Sequence, residues 1–294
     1  MRDGTLMRNK ESGLRRIARR SATLVKLQVR KRQKAAHPRP ARSPGPFERF
    51  LGWCVHGYTA LGLVAAGLIA VLLVQGGPKG DPGSFRWCFL LMAAATIVDC
   101  TDGFLARKVR IKEVVPSFDG RRLDDLVDFL TYTFLPLLLI WRAGILPPGQ
   151  QAWLFLPLLA SAYGFCQVQA KTDDGYFLGF PSLWNVVACY LYMLRGGPWL
   201  SLAVVIVLAI LTFVPTRHLY PSQPGRLNRA ATLLSIPWTF LFVWLIWNLP
   251  RVGDTGFDAT TMQWAWISLS YPLFYLGVSW VISVAYWRKQ LKRV

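Results

Sequence analysis

Four aspartates of this sequence have a spacing that could bind metal ions. Asp99 and Asp102 lie three residues apart near the end of one apolar segment. Asp124 and Asp128 lie four residues apart at the start of the next. In helices each pair projects from one face. An ionised carboxylate inside a membrane-spanning helix costs about 3 kcal/mol, and facing pairs repel each other. Two hard divalent cations would remove that repulsion and could clamp a diphosphate.

The same acids also have an ordinary structural interpretation. Asp124 and Asp125 at a helix start could act as caps, and nearby arginines could pair with the carboxylates. This interpretation does not account for Asp99 and Asp102, which follow an apolar run. It also fails for Asp128, which lies one turn inside its helix, so we favour the metal site.

The residues between the two aspartate pairs add chemistry suited to a phosphate. Gly103 has no side chain to keep a nucleotide from the backbone, and Ala106 is small enough for the same approach. Arg107 offers a planar, permanently charged group that binds phosphate well. Gly120 marks a second possible close approach, just before the third apolar segment.

Written in order, these positions give the motif Asp99-x2-Asp102-Gly103-x2-Ala106-Arg107-x12-Gly120-x3-Asp124-x3-Asp128. The motif resembles the signature of the CDP-alcohol phosphatidyltransferases, which are integral membrane enzymes of phospholipid synthesis. The twelve-residue gap before Gly120 is similar to that of one branch of the family, the bacterial phosphatidylcholine synthases. Other segments that are like those of this branch are 55–60, 122–132, 171–174, 179–185 and 214–222.

The resemblance implies a reaction and a set of roles. The metal ligands, for two ions of Mg²⁺ or Mn²⁺, would be Asp99, Asp102, Asp124 and Asp128. Asp128 would also be the general base that takes the proton from the acceptor alcohol. The residues that hold CDP-diacylglycerol would be Gly103, Ala106, Arg107 and Gly120. Choline would be the acceptor, and phosphatidylcholine and CMP the products. The family also implies contact with membrane lipid and a homodimer.

Several residues are candidates for binding choline. Choline is a quaternary ammonium ion, which proteins hold with aromatic faces and sometimes a nearby carboxylate. The candidates are Asp173, Asp174, Tyr176 and Trp184. Two acids against one lysine in 171–185 favour a cation over a phosphorylated acceptor. Aromatic residues also form belts at membrane interfaces, which is an ordinary explanation for the two aromatic candidates.

A sister enzyme of the same family, acting on serine, inositol or glycerol 3-phosphate, stays open as an alternative. A transporter with intramembrane carboxylates is a rival of a different class. It would need acids spread along a path across the bilayer, and the far half of the second to eighth segments carries none.

Membrane helices must position these residues. Of the 294 residues, 53% are hydrophobic and 17% are charged, against about 25% charged in typical soluble domains. A soluble nucleic-acid-binding protein is excluded, because the body of the chain would not dissolve. A spanning helix needs about 20 apolar residues. We predict an all-α integral membrane protein with about eight transmembrane helices, near 51–75, 85–105, 124–142, 151–170, 181–195, 198–216, 229–248 and 263–287.

The basic residues predict the orientation. The first 50 residues hold 15 of the 34 Lys and Arg residues, so we predict a mobile basic tail over 1–46 and a transmembrane catalytic domain over 47–294. With eight crossings, 29 of the 34 basic residues fall on one side, and positive charge stays cytoplasmic. Both termini and the active site would therefore face the cytoplasm, most simply at a bacterial inner membrane.

Overall fold

The computed structural model of the chain describes residues 44–76, 81–168, 172, 175–219, 225–250 and 257–292. The α-helices are α1 (Pro46–Gln75), α2 (Pro82–Val109), α3 (Ile111–Val114), α4 (Gly120–Asp128), α5 (Leu135–Arg142), α6 (Phe155–Cys166), α7 (Trp184–Leu194), α8 (Pro198–Phe213), α9 (Arg226–Trp247), α10 (Ala259–Ser268) and α11 (Ser270–Leu291). A π-helix (Phe129–Phe134) joins α4 to α5, and a 3₁₀ helix (Gln151–Leu154) precedes α6. Of the predicted basic tail, all but the last three positions, 44–46, lie outside the described residues.

Helices occupy all eight of the predicted apolar segments. Within the described residues, four helical stretches are long and apolar enough to cross a bilayer, namely Pro46–Gln75, Pro82–Val109, Arg226–Trp247 and Ala259–Leu291. Gln151–Cys166, Trp184–Leu194 and Pro198–Phe213 are shorter apolar helices. Large apolar side chains such as Val74, Phe240 and Val281 are at least 70% exposed, which is expected where lipid covers the helices. The chain is a helical integral membrane protein, while the number of crossings stays a prediction.

The long helix α2 carries the first aspartate pair and has a defined beginning and end. Asp81 caps its start by accepting a hydrogen bond from the Ser84 N–H at 3.0 Å. Pro82 occupies the first turn, where its missing N–H costs nothing. At the far end Arg110 adopts a left-handed conformation (φ 55°), and its N–H bonds to the carbonyls of Ala106 and Arg107. This cap ends α2 three residues after the motif arginine.

The twelve residues between Arg107 and Gly120 are structured and packed against α1. They finish α2, make the single turn α3 and end at the α4 cap Asp119. Val114 and Val115 are buried there, and a Cβ added to Gly52 of α1 would meet Val115 at 2.7 Å. The segment therefore packs against α1 beside the motif.

The third apolar segment is a continuous helix whose middle is widened. After Asp128 the backbone becomes a π-helix, and the Leu135 N–H bonds to the carbonyl of Leu130, five residues back. Pro136 follows and has no N–H to donate to Tyr132, so an ordinary α-helical ladder cannot continue through this turn. The widened turn buries the consecutive residues Thr131, Tyr132 and Thr133.

A small antiparallel sheet adds to the predicted all-α class. Strand β1 (Tyr176–Leu178) pairs with β2 (Arg217–Leu219), with Phe177 opposite His218. Gly179 then turns with φ 82°, and a Cβ there would collide with the backbone oxygen of Thr212. The sheet links the loop before α7 to the loop after α8, and β2 packs against α11.

Candidate active site

Three of the four predicted metal ligands come together where α2 meets α4. One carboxylate oxygen from each of Asp99, Asp124 and Asp128 lies within 4.8 Å of the other two. All three residues are half-buried. The Oδ1 atom of Asp128 is buried and has no hydrogen-bond partner in the part of the chain that the structure describes. A carboxylate oxygen left this way is destabilising unless a cation or donor reaches it, so this group fits a hard divalent cation.

Asp102 lies outside that group of three. The residue is 7% exposed, and its Oδ2 accepts a hydrogen bond of 2.7 Å from the Thr59 hydroxyl of α1. The neighbouring residues Tyr58 and Thr101 also bond between the two helices, with their hydroxyls 2.8 Å apart. In this arrangement Asp102 ties α2 to α1, and its role as a metal ligand stays a prediction.

The residue that caps α4 is not one of the aspartates for which the sequence suggested capping. Asp119 caps α4, because its Oδ1 accepts from the N–H groups of Arg121 at 3.2 Å and Arg122 at 3.4 Å. Asp119 also pairs with the Arg122 guanidinium at 3.3 Å, on the surface, where such a pair contributes little stability. Asp124 and Asp125 are therefore not needed as caps of this helix.

The predicted phosphate-binding residues occupy the last turns of α2. A Cβ added to Gly103 would meet only Arg107 Nη1, at 3.4 Å, so packing does not require a glycine there. Ala106 is half-buried and Arg107 is exposed. The guanidinium thus lies beside an open stretch of backbone, an arrangement that suits an incoming phosphate.

Gly120 has a packing reason of its own. A Cβ at this position would meet the His56 ring at 2.6 Å from Cε1. His56 is 5% exposed, and its ring lies 4.4 Å from that of Phe118, between centroids. Its Nε2 has no hydrogen-bond partner among the described residues. Gly120 therefore lets α4 begin directly on the ring of His56, a contact between distant segments that sequence reasoning missed.

Tyr132 is a second residue that sequence reasoning missed at the metal group. Its hydroxyl donates to Asp99 Oδ2 at 2.8 Å, and the side chain is only 9% exposed. The signal was available in the spacing, because Asp124, Asp128 and Tyr132 recur every four residues. That repeat places them along one side of a helix.

The candidates for choline binding are placed unequally. Asp173 and Asp174 lie outside the described residues. Tyr176 is half-buried in β1, and the guanidinium carbon of Arg217 lies 5.4 Å from its ring centroid. Trp184 is fully buried, and its Nε1 donates to the Ser161 hydroxyl at 2.9 Å. A fully buried ring offers no surface to choline in this conformation, so packing accounts for Trp184.

Comparison with known proteins covers most of the chain. Residues 57–214 match the family model of the CDP-alcohol phosphatidyltransferases. The phosphatidylcholine synthase of Pseudomonas aeruginosa is 36% identical over 237 residues, which cover 79% of this chain and 92% of that protein. The phosphatidylcholine synthase of Bradyrhizobium diazoefficiens is 34% identical over 274 residues, 93% of this chain and 95% of that protein. The family match spans more than half of the chain and includes the whole aspartate motif, so the chain belongs to the CDP-alcohol phosphatidyltransferase family and is a membrane-bound phosphatidyltransferase.

Proposed function

We propose that this chain is a phosphatidylcholine synthase, which transfers the phosphatidyl group of CDP-diacylglycerol to choline and releases CMP. The observation that carries the proposal is the carboxylate group of Asp99, Asp124 and Asp128. It lies inside a motif shared with a family of phosphatidyltransferases. Full-length similarity to proteins named phosphatidylcholine synthase selects choline among the acceptors.

The proposed metal site holds two divalent ions, Mg²⁺ or Mn²⁺. Asp99, Asp124 and Asp128 are the ligands whose positions support it, and Asp102 is the fourth ligand that the motif implies. When bound, such ions neutralise the diphosphate and stabilise the charge of the leaving CMP. The protein contributes the carboxylate oxygens and a half-buried, largely helical surround that keeps them close together.

The other residues of the motif bind the substrate and move a proton. Arg107 binds a phosphate of CDP-diacylglycerol, and Gly103 leaves the backbone open beside it. Asp128 accepts the proton of the choline hydroxyl as the choline oxygen bonds to the lipid-side phosphorus. The bond between that phosphorus and the bridging oxygen breaks, and its electron pair leaves with CMP. The unpartnered Oδ1 of Asp128 supports this choice of base.

We further propose eight crossings, with both termini and the carboxylate group on the cytoplasmic side of a bacterial inner membrane. The division of 29 basic residues against five supports this topology. The proposal keeps the division into a basic tail over 1–46 and a transmembrane catalytic domain over 47–294. The acyl chains of CDP-diacylglycerol stay in the bilayer, so the substrate enters sideways between helices. The homodimer rests on the family resemblance.

An acceptor screen with the purified full-length protein in detergent tests the function. CDP-diacylglycerol and Mn²⁺ or Mg²⁺ are supplied with choline, serine, inositol, glycerol 3-phosphate or ethanolamine separately, and CMP release is followed. We expect metal-dependent release with choline alone. Release with a different acceptor would replace choline and leave the metal site standing, whereas no release with any acceptor would overturn the proposal.

A further inference from the structure

A buried hydrogen bond joins the proposed metal group to the π-helix that follows α4. The Tyr132 hydroxyl donates to Asp99 Oδ2 at 2.8 Å. Tyr132 is 9% exposed. A buried hydroxyl that donates to a carboxylate makes a stronger bond than one between neutral groups, so it holds the Asp99 side chain in one orientation.

The backbone places Tyr132 for this contact. Asp128 ends α4, and the π-helix that follows brings Tyr132 round to face α2. Short π-helical insertions are frequent at functional sites. Pro136 withholds the N–H that an α-helix would send to the Tyr132 carbonyl, so the α-helical hydrogen bonding is interrupted at this turn.

The part of α2 just before Asp99 is itself tied to α7. Thr96 lies one turn before Asp99, and its hydroxyl donates to the Met92 carbonyl at 3.0 Å. Asn185, at the start of α7, donates from Nδ2 to Thr96 Oγ1 at 3.2 Å. Asn185 is itself held, because its Oδ1 accepts from the Val186 N–H at 2.9 Å. The part of α2 that carries Asp99 is therefore held by α7 as well as by the π-helix.

We propose that Tyr132 is a positioning residue, which orients Asp99 as a ligand of the divalent cation. This inference rests on the proposed metal site and does not depend on which alcohol is the acceptor. The partner of a metal ligand fixes its direction, and losing such a partner typically weakens metal binding or activity by about 10- to 100-fold.

The test is Tyr132→Phe in the full-length protein, with Mn²⁺ as the probe. Binding is measured by the loss of the free Mn²⁺ paramagnetic resonance signal, without CDP-diacylglycerol or acceptor. We expect half-saturation to need about 10- to 100-fold more Mn²⁺ than in the wild type. In the turnover assay the Mn²⁺ concentration for half-maximal rate should rise by the same factor, and saturating Mn²⁺ should restore most of kcat.

Tyr190→Phe is the matched control. Tyr190 is also buried, at 6% exposure, and its hydroxyl bonds to Ser268 at 2.9 Å and to Trp238 Nε1 at 3.0 Å. Its removal costs a buried hydroxyl that contacts no carboxylate, so Mn²⁺ binding should not change.

Unchanged Mn²⁺ binding in Tyr132→Phe would overturn the positioning role, and so would equal weakening in both variants. A wild-type protein that binds no Mn²⁺ would overturn the proposed metal site together with this inference. The acceptor screen tests a separate question, the identity of the acceptor alcohol, so neither of these results decides it.

Discussion

At the scale of a single residue, the proposed role of Asp128 as the general base can be tested by one substitution. Asp128→Asn keeps the shape of the side chain and removes its ability to take the choline proton. We expect CMP release to fall by at least about 100-fold, while CDP-diacylglycerol binding, measured with labelled substrate, stays mostly intact. Asp125→Asn is the control, because Asp125 is exposed on the same helix, and it should keep near-wild-type activity. Full activity of Asp128→Asn would remove it as the base.

The two motif glycines are predicted to respond differently to a single methyl group. In Gly103→Ala the new Cβ meets only Arg107 Nη1, so thermal stability should be kept or rise by up to about 1 kcal/mol, while the KM for CDP-diacylglycerol rises. In Gly120→Ala the Cβ would lie 2.6 Å from His56, and overpacking of this kind costs about 1–3 kcal/mol. Thermal unfolding of both proteins, with kinetics, measures the difference.

Removing the His56 ring should remove most of the stability cost of Gly120→Ala. We expect the added methyl to cost little stability in a His56→Ala background, which a double-mutant cycle detects. Gly57→Ala is the matched control, because a Cβ there meets nothing within 4 Å. A Gly103→Ala protein that unfolds early with an unchanged KM would contradict the nucleotide role.

At the scale of elements, the small sheet predicts a pH dependence of stability. His218 in β2 is 3% exposed, and burial lowers its pKa from 6.5 to about 4. Because the folded pKa lies below the unfolded one, the neutral ring favours the fold. This contribution is complete above about pH 6.5 and is lost as the pH falls towards 4. A shift of this size corresponds to about 3 kcal/mol.

His218→Gln tests this dependence, because it keeps a buried polar side chain that does not titrate. We expect the unfolding temperature in detergent to fall less steeply between pH 6.5 and 4.5 in the variant than in the wild type. The comparison concerns the slope with pH and not the absolute stability. Equal slopes would mean that groups other than His218 carry the acid sensitivity.

The elements also separate what a sequence can predict from what it cannot. Long apolar runs identify the helices, because membrane crossing requires them, and four-residue spacing puts Asp124 and Asp128 on one face. The sheet was not predictable, since its strands have three residues each and pair across a long stretch of chain. The turn of Asp102 towards Thr59 and the contact of His56 with Gly120 depend on how separate helices pack.

At the scale of the whole molecule, the proposed topology places the carboxylate group and most of the basic residues on one side of the membrane. The stretch 106–123, which runs from the end of α2 into α4, carries six basic residues. A topology with an odd number of crossings would divide the basic residues more evenly, against the positive-inside rule. The short helix α7, with 11 residues, reaches only about 16 Å, so it is the segment on which the crossing number depends.

Single cysteines placed at the two ends of the bundle test this topology. In an active background with the five native cysteines replaced, Ser117→Cys reports on the exposed loop between α3 and α4. Pro148→Cys reports on the exposed loop after α5. We expect a membrane-impermeant maleimide to label Pro148→Cys in spheroplasts and Ser117→Cys only in inverted vesicles, because α4, the π-helix and α5 form one crossing between them. Labelling of both positions from the same side would show that this segment does not cross the membrane. That result would overturn the proposed topology of eight crossings.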